Sequence, residues 1–149
     1  MAEHQVTLRW QRRSADFDYQ TFDRTHTLHF SGGQTLEGSS SPVYFGNPAL
    51  ANPEEALVAA LSSCFMLTFL SIAALKHLVV ESYEDEAEGE LAKNEHGKTM
   101  ISRIVLRPKV VFDQNRQPDP EILAGLYRKA EENCFVSNSL RSEVAVAPR

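Results

Sequence analysis

The sequence predicts a single α+β domain, 1–149, in which a curved antiparallel sheet wraps a long buried central helix. Alternating apolar and polar residues near the N-terminus are typical of strands, and a run of twenty uncharged residues, 56–75, follows them. Further strand patterns and a second helix pattern come after that run. With 149 residues, 42% of them hydrophobic, the chain is long enough to bury a core as one domain.

The first part of the chain is predicted to form strands. Val6, Leu8 and Trp10 alternate with polar residues, which is the period of a half-buried strand. Two adjacent glycines predict a tight hairpin, and a segment rich in Ser, Pro and Gly predicts an irregular loop. The predicted strands are 6–10, 23–30 and 34–37, with a polar turn at 14–18, the hairpin at Gly32-Gly33 and the loop at 38–50.

The start of the long helix is the strongest local signal. Asn52 is a good N-cap, Pro53 suits the first helical position, and Glu55 stands at the capping-box position. The acidic pair Glu54 and Glu55 also suits the positive end of the helix dipole. We expect this helix to run to about His77.

The uncharged run 56–75 is long enough to span a membrane. It is interrupted by hydroxyl and thiol side chains, and the segments on both sides have soluble strand patterns. A helix that is apolar on every side is also typical of the buried centre of a soluble protein. We therefore predict a buried central helix and no membrane partner.

The second part of the chain is predicted to hold two strands, a helix and a last strand. Asp119 and Pro120 repeat the cap-and-proline signature of a helix start. Six acidic residues between 81 and 90 are typical of a solvated strand face rather than of a metal site. The predicted elements are strands 79–91 and 98–112, the latter interrupted or edged at Pro108, helix 120–133 ending beside Cys134, and strand 143–146.

Charge and cysteine content exclude several classes of protein. A net charge of −5 with no basic stripe argues against nucleic-acid binding. The N-terminal segment from Met1 to Arg13 is polar and lacks the apolar core of a secretory signal, which favours the cytoplasm, where thiols stay reduced. The two cysteines form no C-x-x-C pair, so we expect neither a metal site nor a cofactor.

Cys64 is a candidate nucleophile, although a core role is the commonest fate of a free cysteine. It lies on a stripe with Leu57, Leu61 and Thr68, yet it is too far along the helix for the dipole to lower its pKa. A reactive Cys64 therefore needs a nearby cation. The candidates in the N-terminal strands are Arg9, Arg12, Arg13 and Arg24.

The histidines offer a weaker alternative. His26 and His29 are three residues apart on a predicted strand, so they point to opposite faces and cannot share a metal ion. A Cys-His hydrolase would need His26 beside Cys64, but no third orienting group is evident.

Two cysteine motifs resemble those of the OsmC/Ohr family. The first starts N-P-E-E at Asn52 and continues through Ala59-Ala60 to S-C-F at Ser63, like the family's N-P-E-x…A-A-C-F helix. The second, A-E-E-N-C-F-V-S from Ala130, resembles the family's A-x-x-x-C-P-x-S motif. The order of strands, long helix, strand pair and second helix also fits, so the resemblance spans nearly the whole chain.

The resemblance implies a thiol peroxidase acting on organic hydroperoxides. Cys64 matches the peroxidatic cysteine, and Cys134 matches the resolving cysteine that closes a disulfide, which an external thiol or dithiol then reduces. Glu54 matches the glutamate that orients an arginine beside the reactive sulfur. The chain departs from the pattern at Phe135, where the family usually has proline, and at Tyr44, where the OsmC branch has its arginine. The Ohr branch takes its arginine from the early strands, which points to Arg24.

Helix geometry predicts a homodimer, and the family resemblance implies that the dimer is intertwined. Glu54 and Cys64 are ten residues apart, or about 15 Å along a straight helix, so one helix cannot bring both to a single site. A partner chain would supply the second group, and it would also cover the uncharged helix.

Residue type predicts the substrate pocket and leaves two rival functions open. Tyr44, Phe65 and Phe69 would line an apolar pocket that favours organic peroxides over hydrogen peroxide. One rival is a hydrolase with Cys64 as nucleophile, for which Cys134 is dispensable. The other is a non-catalytic dimer that binds an apolar ligand or a partner, with buried inert cysteines.

Overall fold

The computed structural model describes residues 3–149, which divide into two compact units, one ending at Ala56 and one spanning Leu57–Arg149. Together they form an α+β fold with antiparallel sheets and one long helix, as predicted. The single domain over 1–149 stays a prediction, and its first two residues lie outside the described part of the chain.

The first unit is built on a three-stranded antiparallel sheet. Its strands are β1 (Val6–Arg9), β2 (His26–Phe30) and β3 (Thr35–Gly38), in the order β1-β2-β3. The predicted hairpin is confirmed at Gly33, whose φ of 88° suits glycine and whose amide donates to the Phe30 carbonyl at 2.9 Å. The predicted loop after β3 holds one short 3-10 turn, Pro42–Tyr44.

The long helix α1 spans Pro53–Leu75, and its predicted capping box is confirmed. The Asn52 Oδ1 atom accepts from the Glu55 amide at 2.8 Å, and the Glu55 Oε2 atom accepts from the Asn52 amide at 3.1 Å. The helix ends two residues earlier than predicted because His77 adopts a left-handed φ of 58°. The Leu78 amide then returns to the Ala73 carbonyl at 3.0 Å, which closes the helix end.

One face of α1 is buried within the chain. Its fully buried residues are Leu61, Phe65, Phe69 and Ala73, four apart along the helix. The opposite side carries small residues and two leucines, Leu67, which is 58% exposed, and Leu75, which is 81% exposed. The predicted buried central helix is therefore buried along one face of this chain.

The second unit contains a long hairpin that bends, so each of two predicted strands is divided in two. Strands 79–91 and 98–112 were predicted as continuous. They are instead β4 (Val80–Asp85) and β5 (Glu88–Lys93), and β6 (Thr99–Leu106) and β7 (Pro108–Phe112). β4 pairs with β7 and β5 with β6, both antiparallel.

Asp85 fixes this bend. Its carboxylate accepts from the Arg107 amide at 2.6 Å and from the Ser62 hydroxyl of α1 at 2.5 Å. Pro108, which follows Arg107 and begins β7, has no amide hydrogen with which to form a backbone hydrogen bond between strands. One curved antiparallel sheet was predicted, but the described residues form three sheets. Within the second unit, the ladder of β4 with β7 separates from that of β5 with β6 at this bend.

The last elements are α2 (Pro120–Asn133), α3 (Phe135–Ser139) and β8 (Glu143–Val146). Asp119 caps α2 as predicted, accepting from the Ile122 amide at 2.9 Å. β8 pairs with β6 in parallel, which corrects the all-antiparallel expectation. The two helices between β7 and β8 form the crossover that a parallel pair requires. The core of this unit consists of Leu61, Phe65, Phe69, Ile104, Leu106, Phe112, Leu126, Ala130 and Cys134.

Candidate active site

Cys64 lies at the edge of the buried face of α1. It is half-buried and packs against the core cluster of the second unit. One turn further along the helix, the Thr68 hydroxyl donates to the Cys64 carbonyl oxygen at 2.8 Å. The thiol is therefore anchored to a rigid helix while part of its residue remains accessible.

Cys134 lies at the junction of α2 and α3, and it is fully buried, with 0% of its surface exposed. It ends α2 and serves as the N-cap of α3, because its sulfur accepts from the Ser137 amide at 3.4 Å. Its carbonyl oxygen accepts from the Asn138 amide at 3.0 Å. Both thiols are free in this structure.

The surroundings of Cys64 stabilise its thiolate. Burial opposes ionisation, but the Val136 amide, the Cys134 thiol and the Phe135 amide together outweigh it and lower the pKa of Cys64. Thr68 contributes least, and its single hydroxyl proton is already given to a carbonyl. The amides that follow Cys134 therefore stabilise the Cys64 thiolate, which the dipole of α1 cannot do in the middle of the helix.

The pKa of Cys134 moves in the opposite direction. Burial raises the pKa of Cys134 to about 11, the Ser137 amide opposes this rise, and the neighbouring Cys64 adds to it. When the pair loses one proton, the negative charge therefore lies on Cys64 and the remaining proton stays on Cys134. An acidic, partly exposed thiol beside a buried, protonated one is an arrangement suited to forming a disulfide.

Arg24 belongs to the first unit, where three aromatic rings surround its guanidinium group. The guanidinium carbon lies 3.9 Å from the centre of the Phe22 ring, 5.6 Å from that of Tyr19 and 5.5 Å from that of Phe45. Two of its nitrogens donate to the carbonyl oxygens of Phe22 and Tyr19. Among residues 3–149, no carboxylate lies within ion-pair distance of Arg24, so its charge is not neutralised by an acidic side chain.

Arg24 borders an apolar pocket of about 360 Å³ within the same unit. The rings of Trp10, Phe17 and Phe22 pack against one another along it, with centroids 5.2–6.2 Å apart. The pocket is lined by Trp10, Phe17, Phe22, Arg24, His26, Ser39, Ser40 and Pro53.

The other predicted site residues are placed as follows. Glu54 is half-buried in the first turn of α1, and no described arginine forms an ion pair with it. Tyr44 ends the 3-10 turn and is 46% exposed. Phe65 and Phe69 have no exposed surface in this chain, and the Phe69 ring lies 5.0 Å from that of Tyr127. The substrate-binding role of these three aromatic residues stays a prediction.

The other candidate arginines and His26 also lie in the first unit. Arg12 donates to the carbonyl oxygens of Ser14 and Ala15, and Arg9 and Arg13 border a separate polar groove of the first unit. The Nδ1 atom of His26 lies 2.9 Å from the Arg24 carbonyl oxygen. His26, the histidine that the hydrolase alternative requires, thus has its Nδ1 atom within hydrogen-bond distance of the backbone.

Two features around the predicted residues were missed at the level of sequence. The amides of Phe135 and Val136 lie beside Cys64 because α3 starts directly after Cys134, and a five-residue helix leaves no periodic signal. The rings around Arg24 come from Tyr19 and Phe22, between the predicted turn and the predicted second strand, and from Phe45 of the predicted loop 38–50.

Comparisons with known proteins identify the family and the fold. A family model described as OsmC-like protein matches residues 46–149. The uncharacterized protein YmaD of Bacillus subtilis strain 168 is 30% identical over 114 residues, which cover 75% of each chain. An OsmC-like protein of unknown function from Vibrio cholerae, VCA0330, has a structure similar with a TM-score of 0.94 at 43% identity, covering 100% of both chains. The organic hydroperoxide resistance protein OhrB of Bacillus subtilis is similar with a TM-score of 0.69 at 20% identity, covering 99% of this chain and 98% of OhrB.

The fold and the cysteine pair define a small α+β protein with two adjacent thiols of different acidity. The chain belongs to the OsmC-like protein family. The similarity to VCA0330 supports the predicted OsmC-like branch.

Family membership also bears on the apolar helix. α1 is long and apolar enough to cross a membrane by length and composition, and it is the one helix of the described residues that is. The family match includes all of α1, and its buried face forms the core of the second unit. We therefore interpret α1 as a core helix rather than a membrane span.

Proposed function

We propose that this chain is a thiol-dependent peroxidase that reduces organic hydroperoxides, with Cys64 as the peroxidatic cysteine and Cys134 as the resolving cysteine. The observation that carries the proposal is the opposed shift of the two thiol pKa values, lowered at Cys64 and raised at Cys134. The family's association with organic hydroperoxide resistance supports it.

The proposed cycle assigns one step to each sulfur. The Cys64 thiolate attacks the peroxide, the O–O bond breaks, and Cys64 becomes a sulfenic acid while the leaving alkoxide takes a proton and departs as an alcohol. The Cys134 sulfur then attacks the sulfenic sulfur, releasing water and forming the Cys64–Cys134 disulfide. Two electrons from an external dithiol, or from two thiols, restore both cysteines.

Arg24 is the cation that we assign to peroxide binding. A guanidinium group without a carboxylate partner retains its positive charge for an incoming peroxide, and aromatic rings hold it in place. Glu54 would orient Arg24 in the assembled homodimer, since the described chain pairs Glu54 with no arginine. The apolar pocket beside Arg24 would receive the organic part of the substrate, which favours organic hydroperoxides over hydrogen peroxide.

The homodimer is part of this proposal. The exposed side of α1 is formed by small side chains and two leucines: Ala60, Ser63, Leu67, Ser71, Ala74 and Leu75. Small residues allow close helix packing, and an apolar helix with a single buried face is stabilised by a second copy. We place the protein in the cytoplasm, where external thiols are available as reductants.

A peroxidase assay tests the proposal. With dithiothreitol as reductant, the wild-type protein should consume cumene hydroperoxide at least about tenfold faster than hydrogen peroxide, because the pocket binds the organic group. The Cys64→Ser variant should consume neither. Equal rates for the two peroxides would contradict the assigned substrate class, and unchanged activity in Cys64→Ser would contradict the mechanism.

The apolar pocket also favours a second candidate, a non-catalytic module that binds an apolar ligand. This candidate predicts slow alkylation of both native thiols. It also predicts ligand binding that is unaffected by Cys64→Ser.

A further inference from the structure

The two sulfurs of the cysteine pair differ in their access to solvent. Cys64 is half-buried on α1, so part of this residue is open to solvent. Cys134 has no exposed surface and packs within the core cluster, together with Leu126 and Ala130 of α2. A molecule arriving from solvent can therefore approach one sulfur and not the other.

This difference matters when the disulfide is reduced. A thiolate must attack one sulfur in line with the S–S bond, and the other sulfur leaves. The acidity of the leaving group alone would favour attack on Cys134, because the more acidic Cys64 leaves more readily. Access has the opposite effect, because an in-line attack on a sulfur inside the core requires the core to open first.

We propose that the external thiol attacks the sulfur of Cys64 and that Cys134 is the leaving thiol, an inference that rests on the disulfide of the proposed function. A bond forms between the reductant sulfur and Cys64 while the Cys64–Cys134 bond breaks, and the electron pair of that bond passes to Cys134. Cys134 takes up the proton given by the attacking thiol. A second thiol then attacks the reductant sulfur of the mixed disulfide, releasing Cys64 as a thiolate and the reductant as its own disulfide.

The Ser137 amide is placed to stabilise the charge that this step puts on Cys134. The Ser137 amide is 3.4 Å from the Cys134 sulfur and is the donor already bonded to it. A backbone amide held by a helix is a fixed donor, so it can stabilise the departing thiolate inside the core without reorganisation. This contact offsets part of the disadvantage of a buried leaving group.

The experiment identifies the cysteine that carries the mixed disulfide. The wild-type protein is oxidised with diamide, treated briefly with 2-mercaptoethanol, quenched in acid, labelled with N-ethylmaleimide and mapped by peptide mass. We expect mercaptoethanol on Cys64 and maleimide on Cys134, in roughly tenfold or greater excess over the reverse pattern. Equal labelling, or mercaptoethanol mainly on Cys134, would overturn the inference.

The same labelling in guanidinium chloride is the control for burial. Unfolding exposes both sulfurs, so the preference should fall to within about twofold. A strong preference for Cys64 that persists in the unfolded chain would overturn the inference, because burial would not be its cause. Diamide closes the disulfide independently of peroxide, so a protein that forms it with diamide but not with cumene hydroperoxide refutes the proposed function alone.

Discussion

Cys134 helps to lower the pKa of Cys64, and Cys64 helps to raise the pKa of Cys134. Burial is the largest cause of the rise at Cys134, and the Val136 amide, ahead of the Cys134 thiol, outweighs burial at Cys64. The two thiols acquire different acidities because α2 ends where α1 presents its own thiol.

The first prediction concerns the pH dependence of thiol reactivity. Alkylation by iodoacetamide requires a thiolate, so Cys64 should react fully above its lowered pKa and lose reactivity tenfold per pH unit below it. Half-maximal reaction of Cys64 should come at a lower pH than that of an unperturbed cysteine. Cys134 should stay unmodified until the pH approaches 11. Mass spectrometry of each cysteine peptide across the pH range measures both values.

Two variants at Cys134 separate its hydrogen bond from its bulk. Cys134→Ser keeps a donor beside Cys64 and should leave the pKa of Cys64 close to that of the wild type, whereas Cys134→Ala removes the donor and should raise it. The same pKa in both variants would show that the amides of α3 alone stabilise the thiolate.

The second prediction concerns Arg24. Arg24→Gln removes the charge that we assign to peroxide binding and should lower kcat/KM for cumene hydroperoxide by about 100-fold. Arg13→Gln removes the same charge from the same unit and should change kcat/KM by less than about twofold. Steady-state kinetics of both variants, with circular dichroism as a check of folding, measure the difference. Similar losses in the two variants would assign the effect to net charge.

The third prediction concerns the exposed side of α1. Leu67→Lys places a charge at a residue that is 58% exposed in the single chain and that we assign to the homodimer interface. A lysine that is desolvated at an interface is costly, so the variant should sediment as a monomer at micromolar concentration while the wild type sediments as a dimer. A monomeric wild type under those conditions would count against the homodimer.

The fourth prediction concerns Tyr83, whose buried hydroxyl has no hydrogen-bond partner in the described residues. Tyr83→Phe removes an unsatisfied group and should raise the free energy of unfolding by about 1 kcal/mol at pH 7. Burial, with a smaller contribution from Asp85, raises the pKa of Tyr83.

The sign of the pH effect follows from that shift. The neutral phenol is favoured in the folded state, so its contribution to stability is complete below the unfolded pKa of about 10 and is lost as the pH rises toward the folded value. The wild type should therefore lose stability between pH 9 and 11, and Tyr83→Phe should lose less. Urea unfolding of both proteins at several pH values measures this, and parallel losses would contradict it.

Local signals made the helix starts predictable. Asn52 with Glu55, and Asp119 with Pro120, fix helix N-termini through contacts within four residues, and the structure has both. The bend at Asp85 and the parallel pairing of β8 depend on residues far apart in the chain. No periodic pattern records such contacts, and for this reason the two long strands and the single antiparallel sheet were predicted wrongly.

The candidate site residues show the same difference between what local patterns predict and what depends on distant contacts. Cys64 and Cys134 were identified from their motifs, and the chemistry proposed for them follows from their adjacency. The amide donors of α3 have no side-chain signature, so no sequence pattern could have assigned them. The aromatic rings around Arg24 were present in the sequence, but irregular spacing in a loop does not predict that they converge on one cation.

The intact mass of the reduced protein after brief exposure to one equivalent of cumene hydroperoxide shows whether a peroxide closes the Cys64–Cys134 disulfide. We expect a rapid loss of about 2 Da in the wild type and no such loss in Cys64→Ser. A wild-type mass that is unchanged after minutes, with both thiols still free, would contradict it.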